Sequence, residues 1–430
     1  MRGIDRGGAV AAAAGAWENE AAPGPVQGPV PGPTSRRTAR RAGGAGRVLP
    51  ALVAILMAAL VLAACGSAGG PGGGTAPGAA TGGSGGGAAG GSGGAAGDCS
   101  RRPGLAGVPP LPQEVTVKIA EDGAPSGAGF YIATEKGYFR DLCIKPEFVT
   151  FESSAYMLPA LAADQVQVAG GVLSVGLWNA IQSGLDLRLV ATKGENIPGR
   201  SYFNLTVAAD KADAIKDYKD LKGKRIAITA EASLDEQFVD LALRHAGLSR
   251  DDVEYVIIKS FGDMNAALAN GAVDLAMHIE PLITQAEAQG ILKRFGDAAR
   301  DYAPGFQIAE VLASPRFVAD KELSQRFMLA YVKALRDYND AFVQRDEAKM
   351  AEIIPIMTKY TALKDPELWK KVYVPGLNPD GRLNVESLKA QLDWYRERGY
   401  FTGEIDLDAV VDQSLVEYAV RVLGPYKPGK

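Results

Sequence analysis

From Val115 onward the apolar positions switch repeatedly between a period of two and a period near 3.6. These are the spacings of a half-buried strand and of an amphipathic helix. Val115–Ala120 alternates as a strand, Ala128–Lys136 follows as a short helix, and Gly137 is placed to close that helix in the left-handed conformation. Ile144–Phe151 is the next strand, Ala160–Ala163 lies in a helix, Val166–Gly170 is a strand, Leu173–Ser183 a helix and Leu187–Thr192 a strand. The pattern then restarts. Lys224–Thr229 reads as a strand, Leu234–His245 as a helix capped by Gly247, Val253–Ser260 as a strand, Asp263–Asn270 as a helix and Val273–Met277 as a strand. Strands alternating with helices predict a parallel α/β layout. Roughly the last hundred residues are mostly amphipathic helix, for example Phe327–Gln344 and Val385–Arg398.

The restart is also a repeat. Glu147–Ala169 aligns without gaps on Glu254–Ala276 at an offset of 107, with nine of 23 positions identical, among them Glu147/Glu254, Ser153/Ser260 and Met157/Met264. Strand–helix–strand units share physics, so the apolar matches alone have a bland explanation. The matched Ser and Glu favour two similar α/β lobes. Pro146, at the start of the first copy, departs from the pattern.

Composition divides the chain. Of 430 residues 47% are hydrophobic and 22% charged, but the first hundred or so are rich in Gly, Ala, Pro and Arg. The remainder, about 330 residues, suffices for a large core and for two lobes. A net charge of −4 without a basic stripe excludes nucleic acid as the expected partner. Arg36, Arg37, Arg40, Arg41 and Arg47 precede an apolar run, Val48–Ala64, too short for the roughly 20 residues of a membrane span. A positive region, a short apolar region and small residues form a secretory signal, so residues 1–64 are expected to be a signal peptide with a long n-region. That length raises an expectation of a downstream translation start, at Val26 or Val30, and Ser35-Arg36-Arg37 is a weak twin-arginine feature. Leu62-Ala63-Ala64-Cys65 resembles the bacterial lipoprotein lipobox, with Cys65 the residue to be lipidated. Residues 65–98 then form a tether, since Gly66–Gly97 is almost wholly Gly, Ala and Ser and spans about 30 Å as a coil. With Cys65 lipidated, Cys99 and Cys143 remain as an even pair, either a disulfide or two separate thiols.

Three segments carry a family resemblance. Tyr131-Ile132-Ala133-Thr134-Glu135-Lys136-Gly137-Tyr138-Phe139, then Asp220-Leu221-Lys222-Gly223-Lys224-Arg225-Ile226-Ala227, and then Asn270-Gly271-Ala272-Val273-Asp274-Leu275-Ala276 followed by Glu280-Pro281 resemble segments of the nitrate/sulfonate/thiamine-precursor binding proteins, the SsuA/THI5-like (NMT1) group. The resemblance covers roughly Val115 to Ala341. It implies the periplasmic-binding-protein type II fold, with two α/β lobes joined by two hinge strands at Phe203–Ala209 and Gln307–Ser314 and a helical C-terminal region. Residues 115–205 and 310–430 would form lobe one, and 206–309 lobe two. The helices after Ala341 match no functional motif and are expected to pack on lobe one. The implied function is a membrane-anchored extracytoplasmic receptor, a monomer, that closes on a small solute and delivers it to the permease and ATPase of an ABC importer.

Ligands of open α/β sheets bind outside the carboxyl ends of the strands. That rule selects Asp122–Gly129, Phe151–Tyr156 and Gly170–Ser174 in one lobe, and Ala230–Ser233, Phe261–Asp263 and His278–Glu280 in the other. Ser126, Ser153, Ser154 and Ser174 sit near helix starts, where hydroxyls and free amides suit a polar head group or serve as ordinary caps. Phe130, Phe151, Tyr156 and Tyr202 are candidate apolar walls or core. Asn204 and Ser233 are candidate polar contacts, and Glu152, Glu231, His278 and Glu280 add acidity. No Arg lies in those loops, which tilts the expectation toward a neutral or cationic heterocycle and away from a carboxylate or sulfonate clamp.

Enzymatic readings fare poorly. The family's pyrimidine-forming relatives use a cysteine-rich iron motif, and this chain has three Cys and two His in all. No metal or cofactor is expected on that count. His245 ends a helix, where its charge suits the dipole. There is neither a G-x-S-x-G elbow nor a phosphate-binding Gly-rich loop with Lys. The live alternatives are a ligand-sensing lipoprotein without a transporter and a surface-structural lipoprotein.

Overall fold

The computed structural model describes residues 99–151 and 154–429. The strands in chain order are β1 (Val115–Ala120), β2 (Ile144–Val149), β3 (Val168–Val172), β4 (Arg188–Glu195), β5 (Phe203–Ala208), β6 (Arg225–Ile228), β7 (Glu254–Ile257), β8 (Leu275–Ile279), β9 (Leu292–Arg294) and β10 (Gln307–Ala313). They form two five-stranded sheets, ordered β2-β1-β3-β10-β4 and β7-β6-β8-β5-β9. Each sheet has a parallel core and one antiparallel strand that arrives from the other lobe: β10 in the first, β5 in the second. This double crossing is the two-lobed type II layout. The chain changes sheet within 196–202 and again within 295–306. β5, which a boundary at 205/206 would divide, bonds only within the second sheet, and β10 only within the first, because a strand keeps one set of neighbours along its length.

The repeat is structural. The helix α2 (Ser154–Ala162) and β3 map at an offset of 107 on Phe261–Ala269 and β8, bound for bound. The hydrogen bonds map as well. Lys118 N donates to Gln167 Oε1 at 3.0 Å, and Arg225 N donates to Asp274 Oδ2 at 2.8 Å. Both β3 and β8 begin two residues later than the apolar pattern predicts. Val166 N and Val273 N still bond to Ala160 O (3.3 Å) and Ala267 O (3.4 Å), so each valine belongs to the closure of the preceding helix. Pro146 is tolerated because β2 is an edge strand.

The first sheet is covered on both faces. On one lie α1 (Ala128–Glu135) and Lys321–Tyr338, with Phe130, Phe327 and Tyr331 buried beside Val117 and Ile119. On the other lie α2, α3 (Val175–Gln182) and Val385–Glu397, with Met157, Leu177, Trp178, Leu392 and Tyr395 beside Ala169 and Leu312. Gly137 (φ 76) and Gly247 (φ 72) take the left-handed conformation just past their helices. Cys99 and Cys143 form a disulfide, with Cα atoms 5.9 Å apart, that ties the start of the described domain to the approach of β2.

The C-terminal helices pack on the first lobe, and one region of them also reaches the second. There, α4 (Leu234–His245) buries Glu236 and Asp240. Trp394 Nε1 donates to Asp240 Oδ2 (2.8 Å), Tyr400 donates to Glu236 (3.0 Å), Arg398 pairs with Asp240, and Arg244 pairs with Glu397 at 2.8 Å. The two crossings are clipped together by Asp297, whose carboxylate accepts from Gly199 N (3.1 Å) and Ser201 N (3.3 Å).

Candidate functional site

The carboxyl ends of β1, β3 and β4 meet the start of β10 at one edge of the first sheet, and charged side chains gather there. Lys193 Nζ donates to Ser126 Oγ at 3.0 Å and pairs with Glu121 Oε2 at 3.3 Å, with both charged side chains at most 3% exposed. A Cβ on Gly170 would collide with Glu121 and with the Lys193 stem, which is why a strand interior carries glycine at this point. Burial lifts the Glu121 carboxyl to about 7 against the pull of Lys193. Burial likewise lifts Glu195, at the end of β4, to about 7.

Glu310, in β10, is fully buried, and neither carboxyl oxygen has a hydrogen-bond partner among the described residues. Burial lifts it to about 8, with Lys193 the charge that opposes this. It lies beside Gly171: a Cβ there would be 2.9 Å from Glu310 Oε1 and 3.0 Å from Leu312 Cδ1. Gly171 and Leu312 are in turn walls of a cavity of about 300 Å³ between β3, α2 and α3. Met157, Leu158, Leu177 and Leu185 make its apolar lining, and Ser174 and Gly176 its polar end. Ligand pockets elsewhere share this design of apolar walls with few polar groups.

The structure distributes the residues singled out from sequence widely. Ser126 and Ser174 reach the site. Ser174 also caps α3, its Oγ accepting from Leu177 N at 3.2 Å. Phe151 packs half-buried beside the same helices. Tyr202 is buried in the first crossing; burial, then Glu195 and Glu310, push its hydroxyl well up. Phe130 is core, 4.9 Å from the Tyr331 ring. Asn204 is fully used by the second crossing: it donates to Phe295 O (3.2 Å) and accepts from Ala298 N (2.9 Å). Ser233 caps α4, accepting from Glu236 N at 3.2 Å. Glu231 is exposed and reaches Arg250 at 3.5 Å. His278 is buried: its Nδ1 accepts from Ile279 N (2.8 Å), its Nε2 faces Asn265 Oδ1 (2.9 Å), and burial drops its pKa to about 4. Glu280 pairs with Arg294 at 2.6 Å and accepts from Thr284 N at 3.0 Å. Glu152 and Ser153 lie outside the described residues, as does Cys65, and so do the side chains of Ser154 and Tyr156. Thus Phe130, Asn204, Ser233, His278 and Glu280 have structural partners that satisfy them.

Glu121, Lys193, Glu195 and Glu310 were not among the residues expected. Two signals mark them in the chain: the Gly170-Gly171 doublet within a strand, and a charge inside the apolar run Ile308–Ala313. Among the described residues, no group of three His, Cys, Asp or Glu side chains could hold a metal ion. No described helix is long and apolar enough to cross a membrane.

Two α/β lobes linked by two crossings define the class of periplasmic-type solute-binding folds. A sequence model described as NMT1/THI5 like matches residues 124–342, just over half of the chain, and the protein belongs to that family. Among solved structures the periplasmic aliphatic sulphonate-binding protein SsuA of Escherichia coli is similar, at 20% identity and TM-score 0.56, over 69% of this chain and 92% of that one. The ligand-binding component of an ABC-type import system from Staphylococcus aureus, with zinc bound, matches at 15% identity and TM-score 0.57, over 72% and 100%. The nitrate-binding protein NrtA of Synechocystis matches at 14% identity and TM-score 0.53, over 72% and 89%. At such identities the likeness is one of fold. No curated protein matches the chain by sequence comparison.

Proposed function

We propose that the protein is an extracytoplasmic solute-binding receptor that closes its lobes on a small solute and delivers it to an ABC importer. The observation that carries this is the family's two-lobed fold with a cavity of about 300 Å³ at the carboxyl end of β3 in lobe one. Sulfonate, nitrate and pyrimidine thiamine-precursor solutes are the classes to which the family resemblance points. The chemistry of the site supports binding without turnover: its carboxyls are buried, and its ammonium is already paired. The leader supports secretion over residues 1–64 and lipid attachment at Cys65, which would leave residues 65–98 as a tether. Of the residues expected from sequence, Ser174 lines the proposed cavity, and Ser126 is bonded to Lys193 nearby.

A thermal-shift screen of the full chain against sulfonates, nitrate, pyrimidines, aromatic acids and polyamines tests the reading. A ligand at 100 times its Kd stabilises the folded state by about 2.7 kcal/mol. One responding class supports the receptor. Silence across the whole panel overturns it in favour of a structural lipoprotein.

A further inference from the structure

Glu310, a buried carboxyl beside the cavity, has no hydrogen-bond partner among the described residues. Side chains alternate along a strand, so Glu310 shares the face of Leu312, two residues on. Leu312 lines the cavity, and so does Gly171. The built Cβ position at Gly171 lies 2.9 Å from Glu310 Oε1 and 3.0 Å from Leu312 Cδ1, so the carboxyl packs directly on a glycine of the cavity wall. Any larger residue at 171 would plug that approach.

A buried carboxyl left without hydrogen bonds is costly, commonly by a few kcal/mol. The neighbouring polar residues do not offset that cost. Lys193 is taken by Glu121 and Ser126. Tyr202 and Tyr395 lie within electrostatic reach of Glu310 but form no hydrogen bond to it. Both Glu121 and Glu310 feel the ammonium of Lys193. No described arginine lines the cavity, so an anion entering it would find no guanidinium to hold it, and the carboxyl of Glu310 lies behind Gly171. What Glu310 lacks among the described residues is a hydrogen-bond partner, and the cavity beside Gly171 is the side from which a ligand would supply one.

We infer that the cavity selects a small, largely apolar solute bearing a basic nitrogen, an amine or an amidine-type edge, whose N–H groups pair with Glu310 through the gap left at Gly171. This rests on the receptor reading above and narrows it. The apolar part of such a solute lies along Met157, Leu177 and Leu185. Its nitrogen points at β10.

The test is calorimetric titration of the full chain with probes of matched size: benzylamine and 4-aminopyrimidine as the basic pair, benzenesulfonate and benzyl alcohol as the anionic and neutral controls. Both basic probes should bind at least tenfold more tightly than either control. Glu310→Gln should erase that preference by tenfold or more. Gly171→Ala should erase the same preference while Glu310 remains. Thermal melts of both variants identify a failure to fold. Should Glu310→Gln unfold, Gly171→Ala read against wild type still decides the matter. Tighter binding of benzenesulfonate than of benzylamine would overturn the inference and leave a receptor for anions. Binding of no probe would also overturn it, while the broader solute screen judges the receptor reading on its own.

Discussion

Replacing Glu310 by glutamine should make the protein more stable at pH 8 and change little at pH 5. The wild-type carboxyl is raised from 4.5 to about 8 by burial, with Lys193 opposing. The folded state therefore keeps a proton that the unfolded chain has released. Stability from this group is complete below pH 4.5 and is lost as pH rises through about 8, at about 1.4 kcal/mol per pH unit. Between pH 5 and pH 8 the loss approaches about 4 kcal/mol. Glutamine keeps the shape and carries no titrating proton, so the variant lacks that slope. Glu121 and Glu195 titrate in the same range, but they do so in both proteins and cancel in the difference. Unfolding entropy near 2.1 cal/mol/K per residue over about 330 residues makes 1 kcal/mol worth roughly 1.4 °C in Tm. Calorimetric melts at the two pH values should show the variant gaining about 5 °C on wild type from pH 5 to pH 8. A constant difference, or a variant that loses ground at pH 8, would refute the claim that this carboxyl is buried and unpaired.

Other outcomes follow from the same structure. Lys193→Met leaves Glu121 buried without its ion pair and should cost about 3–5 kcal/mol at pH 8, less at pH 5 where Glu121 takes up a proton, as read by urea titration. Reducing the Cys99–Cys143 bond, which closes a separation of 44 residues, should lower stability by about 4 kcal/mol on the chain-entropy estimate, seen as a fall in Tm with dithiothreitol. Asp240→Ala removes the acceptor of Trp394 and the partner of Arg398. The variant's lobes should open more readily, giving a larger radius of gyration in X-ray scattering than wild type.

Most of the fold was legible because the chain repeats itself. The 107-residue offset found in the letters recurs in helix bounds, in strand bounds and in the paired bonds of Gln167 and Asp274. Strand ends were less legible, since Val166 and Val273 are apolar whether they belong to a strand or to the turn before it. The site was less legible still. Loop position drew attention to Ser233, His278 and Glu280, yet each finds its partners inside the protein, and no periodicity reveals that in advance. Glu121, Lys193 and Glu310 sit at strand ends or inside strands, where a charge looks anomalous in the sequence. Only the folded sheet shows that β1, β3, β4 and β10 bring them side by side.

The most direct test of the receptor account is X-ray scattering of the full chain before and after saturation with whichever solute the thermal screen identifies. The account predicts a fall in the radius of gyration on binding. A solute that binds and stabilises the protein yet leaves the scattering curve unchanged would contradict lobe closure as the signal it delivers.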